Sequence, residues 1–243
     1  MAQTYQPGKW NVTKNLFIWQ FRLGGKELPE WTLAEMKTNQ HFREYPIQEY
    51  YWQQKEKNIM VKIDVIPTAS WKEAQEVFQG MLQEHMILQL PTVPDKMALL
   101  GDVAYTGPSG EIRNLLFLRA NMIVRLNSIG PERVAVGHLA FDMDNLFTRK
   151  NEPGERKTKP EIRSFEAGRG ETPAGEPVAL EVRAEDPLQR PLWYRFTADN
   201  GEIAQQENSL IFTGEKSGEG KVTVQAVNME GDVDEKSITI KVL

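Results

Sequence analysis

The chain predicts an α+β N-terminal domain, an antiparallel sheet covered by helices, followed by an all-β sandwich, and three observations lead there. Helical periodicity occurs strongly only twice, near residues 70–85 and 136–147. Residues 148–159 (Thr148-Arg149-Lys150-Asn151-Glu152-Pro153-Gly154-Glu155-Arg156-Lys157-Thr158-Lys159) are nearly all charged or turn-forming, so they cannot bury a core and read as a linker. From residue 160 onward every strong signal alternates apolar and polar positions, the pattern of a sheet with one face in the core. The expected organisation is therefore an α+β domain over 1–147, a linker over 148–159 and a sandwich over 160–243.

Taken in order, Asn15–Leu23 is short, apolar and aromatic, which predicts a first strand ended by Gly24-Gly25. Pro29 opens a weak helical pattern through Trp31, Ala34 and Met36 that stops before Pro46. Ile47–Gln54 and Ile59–Ile66 read as strands of a hairpin, with Ile59, Val61, Ile63 and Val65 on one face of the second and Met60, Lys62, Asp64 and Ile66 on the other. Ser70-x-x-Glu73 is a capping box, and Trp71, Ala74, Phe78, Met81, Leu82 and His85 follow at helical spacing. Pro91 and Pro94 close that segment. Leu99–Tyr105, Leu115–Arg119 and Met122–Asn127 are further strands, the last two joined by a tight turn at Ala120-Asn121. A second helix spans about Val136–Phe147, with Leu139, Ala140, Met143, Leu146 and Phe147 along one face. Both strong helices are expected on one face of the sheet. Beyond the linker, strands are expected at Glu161–Phe165, Val178–Ala184, Leu192–Ala198, Ser209–Phe212, Lys221–Val227 and Ser237–Leu243.

The 243 residues carry a net charge of −5, unevenly placed. Residues 1–150 hold 17 Lys/Arg against 16 Asp/Glu, and residues 151–243 hold 12 against 18. An acidic C-terminal half argues against nucleic acid, which needs clustered cations to displace counterions. With no cysteine, disulfides, thiolate metal sites and Cys nucleophiles are excluded. No run of about 18 apolar residues exists to span a bilayer. The polar start, Met1-Ala2-Gln3-Thr4-Tyr5-Gln6-Pro7, fits a mature exported terminus behind an added Met and a plain cytoplasmic start equally.

Residues 160–243 resemble the bacterial relatives of PKD and cadherin-type immunoglobulin-like domains. The likeness rests on Ala174-Gly175-Glu176-Pro177-Val178-Ala179-Leu180, Asp186-Pro187, Pro191-Leu192-Trp193-Tyr194-Arg195-Phe196, Gly201-Glu202-Ile203, Gly218-Glu219-Gly220-Lys221-Val222-Thr223-Val224 and Glu230-Gly231-Asp232, in that order. It implies an immunoglobulin-like sandwich serving as spacer, adhesion or docking unit in the periplasm or at the cell surface. Some such modules bind calcium in the loop that here reads Glu185-Asp186-Pro187-Leu188-Gln189-Arg190. Leu188 offers no oxygen and Arg190 repels a cation, so no calcium site is expected, and no other metal or cofactor. Leu116–Leu126, followed by Leu139-Ala140-x-Asp142-x-Asp144, resembles the last hairpin and helix of the PsbP-like α+β fold. That likeness implies a fold and carries over no binding residue.

No catalytic constellation emerges. His41, His85 and His138 are isolated, with His85 expected as a packing residue. Gly107-Pro108-Ser109-Gly110 is not a nucleophile elbow, and Gly218-Glu219-Gly220-Lys221 is not a phosphate loop. Asp142 and Asp144, two apart on a helix, diverge and read as solvated surface. The Asn11-Val12-Thr13 sequon matters only in a eukaryotic secreted chain. Five of six Trp precede residue 72, and Tyr45, Tyr50, Tyr51 and Trp52 cluster. Most of these rings are expected in the core. At least one of Tyr50 and Trp52, which share a face opposite Tyr51, is expected to stand exposed as a ligand-binding ring, as is Trp193. The leading expectation is a non-enzymatic bacterial protein for recognition, adhesion or assembly, with a protein or polysaccharide partner. The alternative is an enzyme or enzyme subunit acting on glycans through N-terminal carboxylates such as Glu44, Glu49 and Asp64, where two must be held at a set separation.

Overall fold

The computed structural model describes residues 10–28, 30–84, 100–106, 112–149 and 158–243. Among them the chain is mostly strand, arranged in three sheets, with only two α-helices. This overturns the expected helix-covered α+β domain followed by an immunoglobulin-like one. Two units are present: residues 1–12, 25–68 and 72–149 form the first, and residues 13–24, 69–71 and 150–243 form the second. The first strand, β1 (Leu16–Trp19), belongs to the second unit.

The first unit is built on a six-stranded sheet. Its strands are β2 (Thr32–Phe42), β3 (Tyr45–Gln54), β4 (Ile59–Pro67), β5 (Val103–Thr106), β6 (Asn114–Arg119) and β7 (Met122–Ser128). Their spatial order is β2-β3-β4-β7-β6-β5, all antiparallel. The stretch around Trp31, Ala34 and Met36, expected as helix, is the edge strand β2. Its Glu, Lys, Met and Ala content favours helix locally, but β3 offers a row of backbone partners, with register shifts between Leu33 and Glu35 and between Lys37 and Gln40, and the Arg43-Glu44 turn folds the chain back onto it. Tertiary pairing outweighs the weak propensity. Pro29, assigned to the start of that helix, lies outside the described residues, as do His85, Pro91, Pro94 and Gly107–Gly110. The expected turn at Ala120-Asn121 is present, because Arg119 pairs with Met122 across it.

Alternation sorts the sheet residues onto two faces. Tyr50 and Trp52 lie opposite Ile63 and Val61, and all four are wholly buried with Val65 and Val124. Glu49 and Tyr51 lie on the other face, opposite Asp64 and Lys62. Helix α1 (Trp71–Glu84) begins one residue after Ser70, which therefore occupies the N-cap position. It packs on the Tyr51 face: Tyr45 Oη donates to Glu73 Oε1 at 2.8 Å, and Phe78 meets Tyr105 at 5.7 Å between ring centroids. Helix α2 (Gly137–Thr148) is held to the Tyr50 face through Arg119, whose Nε donates to Asp144 Oδ1 at 2.7 Å and whose Nη2 donates to Asp144 Oδ2 at 2.8 Å. The helices thus engage opposite faces, not one.

The second unit is sandwich-like. Its strands are β8 (Glu161–Ala167), β9 (Glu171–Thr172), β10 (Pro177–Glu185), β11 (Leu192–Ala198), β12 (Gly201–Gln206), β13 (Ser209–Gly214), β14 (Gly218–Asn228) and β15 (Val233–Val242), joined by β1. One sheet runs β1-β11-β14-β15-β9 and the other β12-β13-β10-β8. Phe196, Val222, Val224 and Ile240 of the first meet Val178, Leu180, Ile203 and Phe212 of the second in one core. The alternation that predicts these strands also predicts their inward residues. The strands β9 and β12 have no counterpart among the expected ones, and β1 was expected in the other unit. Leu16–Trp19 pairs antiparallel with Thr197–Tyr194, and Phe17 enters the sandwich core at 1% exposure. The apolar pattern of residues 15–23 predicts a strand correctly but is silent on which sheet receives it.

Candidate functional site

The Tyr51 face of the six-stranded sheet carries two neighbouring cross-strand rows. Lys37, Glu49, Asp64 and Arg125 form one, and Glu35, Tyr51, Lys62 and Asn127 form the other. Opposite charges adjoin both along and between the rows. Lys62 Nζ donates to Glu49 Oε1 and faces Asp64 Oδ1 at 3.1 Å, though without hydrogen-bond geometry at that oxygen. Arg125 grips Asp64 Oδ2 through Nη2 at 2.6 Å and Nε at 2.8 Å. Lys37 Nζ pairs with Glu35 Oε2 at 2.9 Å. Tyr51 lies between the two lysines, its ring centroid 4.9 Å from Lys37 Nζ and 5.7 Å from Lys62 Nζ.

This checkerboard borders a depression of about 530 Å³, walled by Asn39, Gln40, Phe42, Tyr51, Lys62 and Arg125 among others. On the central strands β3, β4 and β7 the buried and exposed charges differ in sign, while on the edge strand β2 the carboxylate of Glu35 is 52% exposed beside Lys37. The side chains of Glu49 and Asp64 are 5% and 0% exposed, while those of Lys37, Lys62 and Arg125 are 40%, 20% and 26% exposed. Buried carboxylates thus anchor cationic heads that reach solvent. Desolvation pulls the Lys62 ammonium down, but the hydrogen bond to Glu49 and the charge of Asp64 more than offset it, leaving its pKa above the ordinary lysine value. Glu35, chiefly through its hydrogen bond, likewise raises Lys37. All the groups sit on strands, so their spacing is fixed by ladder register.

The residues expected at the site lie elsewhere. Tyr50 and Trp52 are both wholly buried, with the Tyr50 hydroxyl donating to Gln48 Oε1 at 2.8 Å. Neither stands exposed, because β3 is covered on that face; the outward ring is Tyr51. Trp193 does point away from the sandwich core, as its alternation requires, but it is only 5% exposed. Phe21 packs edge-on against it at 5.3 Å. Of the carboxylates weighed for glycan hydrolysis, Glu44 is exposed in a turn, while Glu49 and Asp64 are cross-strand partners. Both of the latter are sequestered under Lys62 and Arg125. Asp144 is not solvated surface: it is 5% exposed and held by Arg119, which also reaches Asp102 Oδ1 at 2.8 Å. Asp142 does stay half-buried, and desolvation raises its carboxyl against the lowering charge of His138.

In the second unit, Asp186 is buried and fully engaged. Oδ1 accepts from the Leu188 and Arg190 amides and from Arg190 Nε, at 2.9, 3.2 and 2.9 Å. Oδ2 accepts from Arg190 Nη2 at 2.8 Å and Asn228 Nδ2 at 3.0 Å. Burial raises this carboxyl, yet these donors overcome it and bring the pKa to about 2. The arginine at the loop's end is thus the partner of the aspartate. Among the described residues, no three or more of His, Cys, Asp and Glu gather as a metal site, and no helix is long and apolar enough to cross a membrane. No known family model, curated protein or solved structure matches this chain.

The checkerboard was hidden in the sequence by ordinary charge. Lys37, Lys62 and Arg125 are far apart along the chain, and only the registers of β2, β3, β4 and β7 gather them. A signal does exist: Lys62 and Asp64 alternate with Val61, Ile63 and Val65, placing charges on one whole face of a central strand.

Proposed function

We propose that this is a non-catalytic recognition protein of the bacterial periplasm or cell surface. In this reading the second, sandwich-like unit is a docking or spacer module. The Tyr51 face of the first unit is the recognition surface, and its partner is a polysaccharide bearing acidic sugar units. The observation that carries the proposal is the inversion of charge with depth on β3, β4 and β7: Glu49 and Asp64 buried, the heads of Lys62 and Arg125 reaching solvent, beside a depression of about 530 Å³. A concavity of that size accommodates a sugar unit better than it matches a flat protein partner. Asn39 and Gln40 supply hydroxyl partners, and Lys37, Lys62 and Arg125 supply carboxylate partners. A catalytic reading finds less support, because the two paired carboxylates are shielded from any substrate by the cations they hold.

The test is calorimetric titration of the full chain with a uronic-acid oligosaccharide and with its neutral counterpart at low salt. Binding to the acidic sugar alone, weakened by added salt and by Lys37→Ala, is expected. Equal binding of the neutral sugar, no binding of either, or stronger binding of an acidic peptide of equal charge would overturn the assignment.

A further inference from the structure

The second unit is finished by a strand that does not come from its own stretch of chain. Strands β8–β15 run continuously from residue 161 to residue 242, yet the β11 edge is covered by β1, which ends at Trp19. The covering is extensive for so short a strand. Phe17 fills the core between the two sheets, Trp19 lies 5.3 Å from the Tyr194 ring, and Phe21 lies 5.3 Å from the Trp193 ring on the opposite face. Gly24 lets the segment close in, since a Cβ there would stand 2.5 Å from the Met229 carbonyl oxygen. The second unit therefore contains a groove shaped for an extended segment with aromatic residues at alternate positions.

Three features make that segment exchangeable. The strand proper is only four residues long, so few ladder bonds hold it. Its chain neighbours on both sides, residues 1–12 and 25–68, belong to the other unit, so residues 13–24 leave that unit and return to it. Directly after the strand, Gln20 takes φ +55°, a left-handed conformation that a non-glycine residue holds at a cost which opening would release. When an identical segment is traded between identical chains, every contact is kept and only the hinges change.

We propose that the β11 groove accepts the β1 segment of a second copy of this chain, giving a reciprocally strand-exchanged pair. The groove is then a self-recognition site. Its specificity lies in the Phe17 slot and the Trp193 and Tyr194 rings, while main-chain bonds from Tyr194 to Thr197 set the register.

The chain has no cysteine, so introduced thiols report pairing cleanly. Leu16 and Thr197 are cross-strand partners, at a separation where a disulfide closes. Leu16→Cys and Thr197→Cys are made in separate copies, mixed at high concentration under mild oxidation, and resolved on a non-reducing gel. A control mixture pairs Leu16→Cys with Lys241→Cys. The double variant, carrying both thiols in one chain, shows that the pair can close. Native mass spectrometry of mixed isotope-labelled and unlabelled wild-type chain provides a measurement free of substitutions. Exchange predicts a disulfide-linked dimer well above the control and a mixed-isotope dimer in the spectrum. Crosslinking no higher than the control, with no mixed dimer, would overturn the proposal.

Discussion

Replacing Phe17 by alanine separates a sandwich completed by β1 from one formed by residues 160–243 alone. Phe17 is 1% exposed and lies in one core with Phe196, Val224 and Phe212. Removing the ring forfeits about 2 kcal/mol of burial. A ring-sized void of roughly 80 Å³ adds about 2 kcal/mol if the core does not collapse. The total of about 4 kcal/mol is an upper value. The four-residue strand has an alternative, which is to undock, so the loss saturates at the free energy with which residues 13–24 are held. Amide hydrogen exchange distinguishes the two routes: undocking abolishes protection at Tyr194–Thr197 first, whereas a retained void lowers protection throughout β11, β14 and β13 together. The full chain is compared with Phe17→Ala by urea unfolding and by exchange at these strands. A change below about 1 kcal/mol, with β11 protection intact, would refute the argument that β1 supplies core to this unit.

Other predictions test the buried charges. Arg119→Met leaves Asp144 and Asp102 without their cation and is expected to destabilise the first unit by about 3–5 kcal/mol, read as a lowered urea midpoint with the β6–β7 amides losing protection first. Asp186, depressed to about 2, contributes stability that is fully present above its unfolded value near 4 and is lost as pH falls through its folded value. The second unit should therefore weaken by about 2 kcal/mol across that interval. Asp186→Asn should flatten the dependence in acid unfolding curves, and an unchanged slope would show that other carboxylates carry it.

How legible the fold was in sequence depended on how local its causes were. The hairpin of β6 and β7 and the alternation of Val178, Leu180 and Val182 are written in consecutive residues, and each appears where the pattern places it. β2 was not legible, because its residues are helix formers and the decisive partner, the open edge of β3, exists only once the sheet is formed. β1 was half legible. Its alternation marks a strand, but pairing with β11 joins residues separated by most of the chain, and no short-range signal encodes that choice.

The same distinction explains why the aromatic candidates failed as surface rings and the charged site went unseen. Trp52 and Tyr50 read equally well as platform or core until the cover on their face is known. Trp193 was placed on the correct side of its strand, yet the segment that buries it comes from residues 13–24. Lys37, Glu49, Lys62, Asp64 and Arg125 are each unremarkable surface letters. Their chemistry arises from registry: Glu49 opposite Asp64 would place two carboxylates side by side, an arrangement that repels itself unless cations intervene. Lys62 and Arg125 meet that need from the neighbouring positions, and with Lys37 at the row's end they leave positive heads facing water. The acids are thus the cause of the cationic surface. On this reasoning, neutralising Glu49 should loosen Lys62 from its place and weaken acidic-sugar binding despite raising the net positive charge, an outcome opposite to that of simple charge counting.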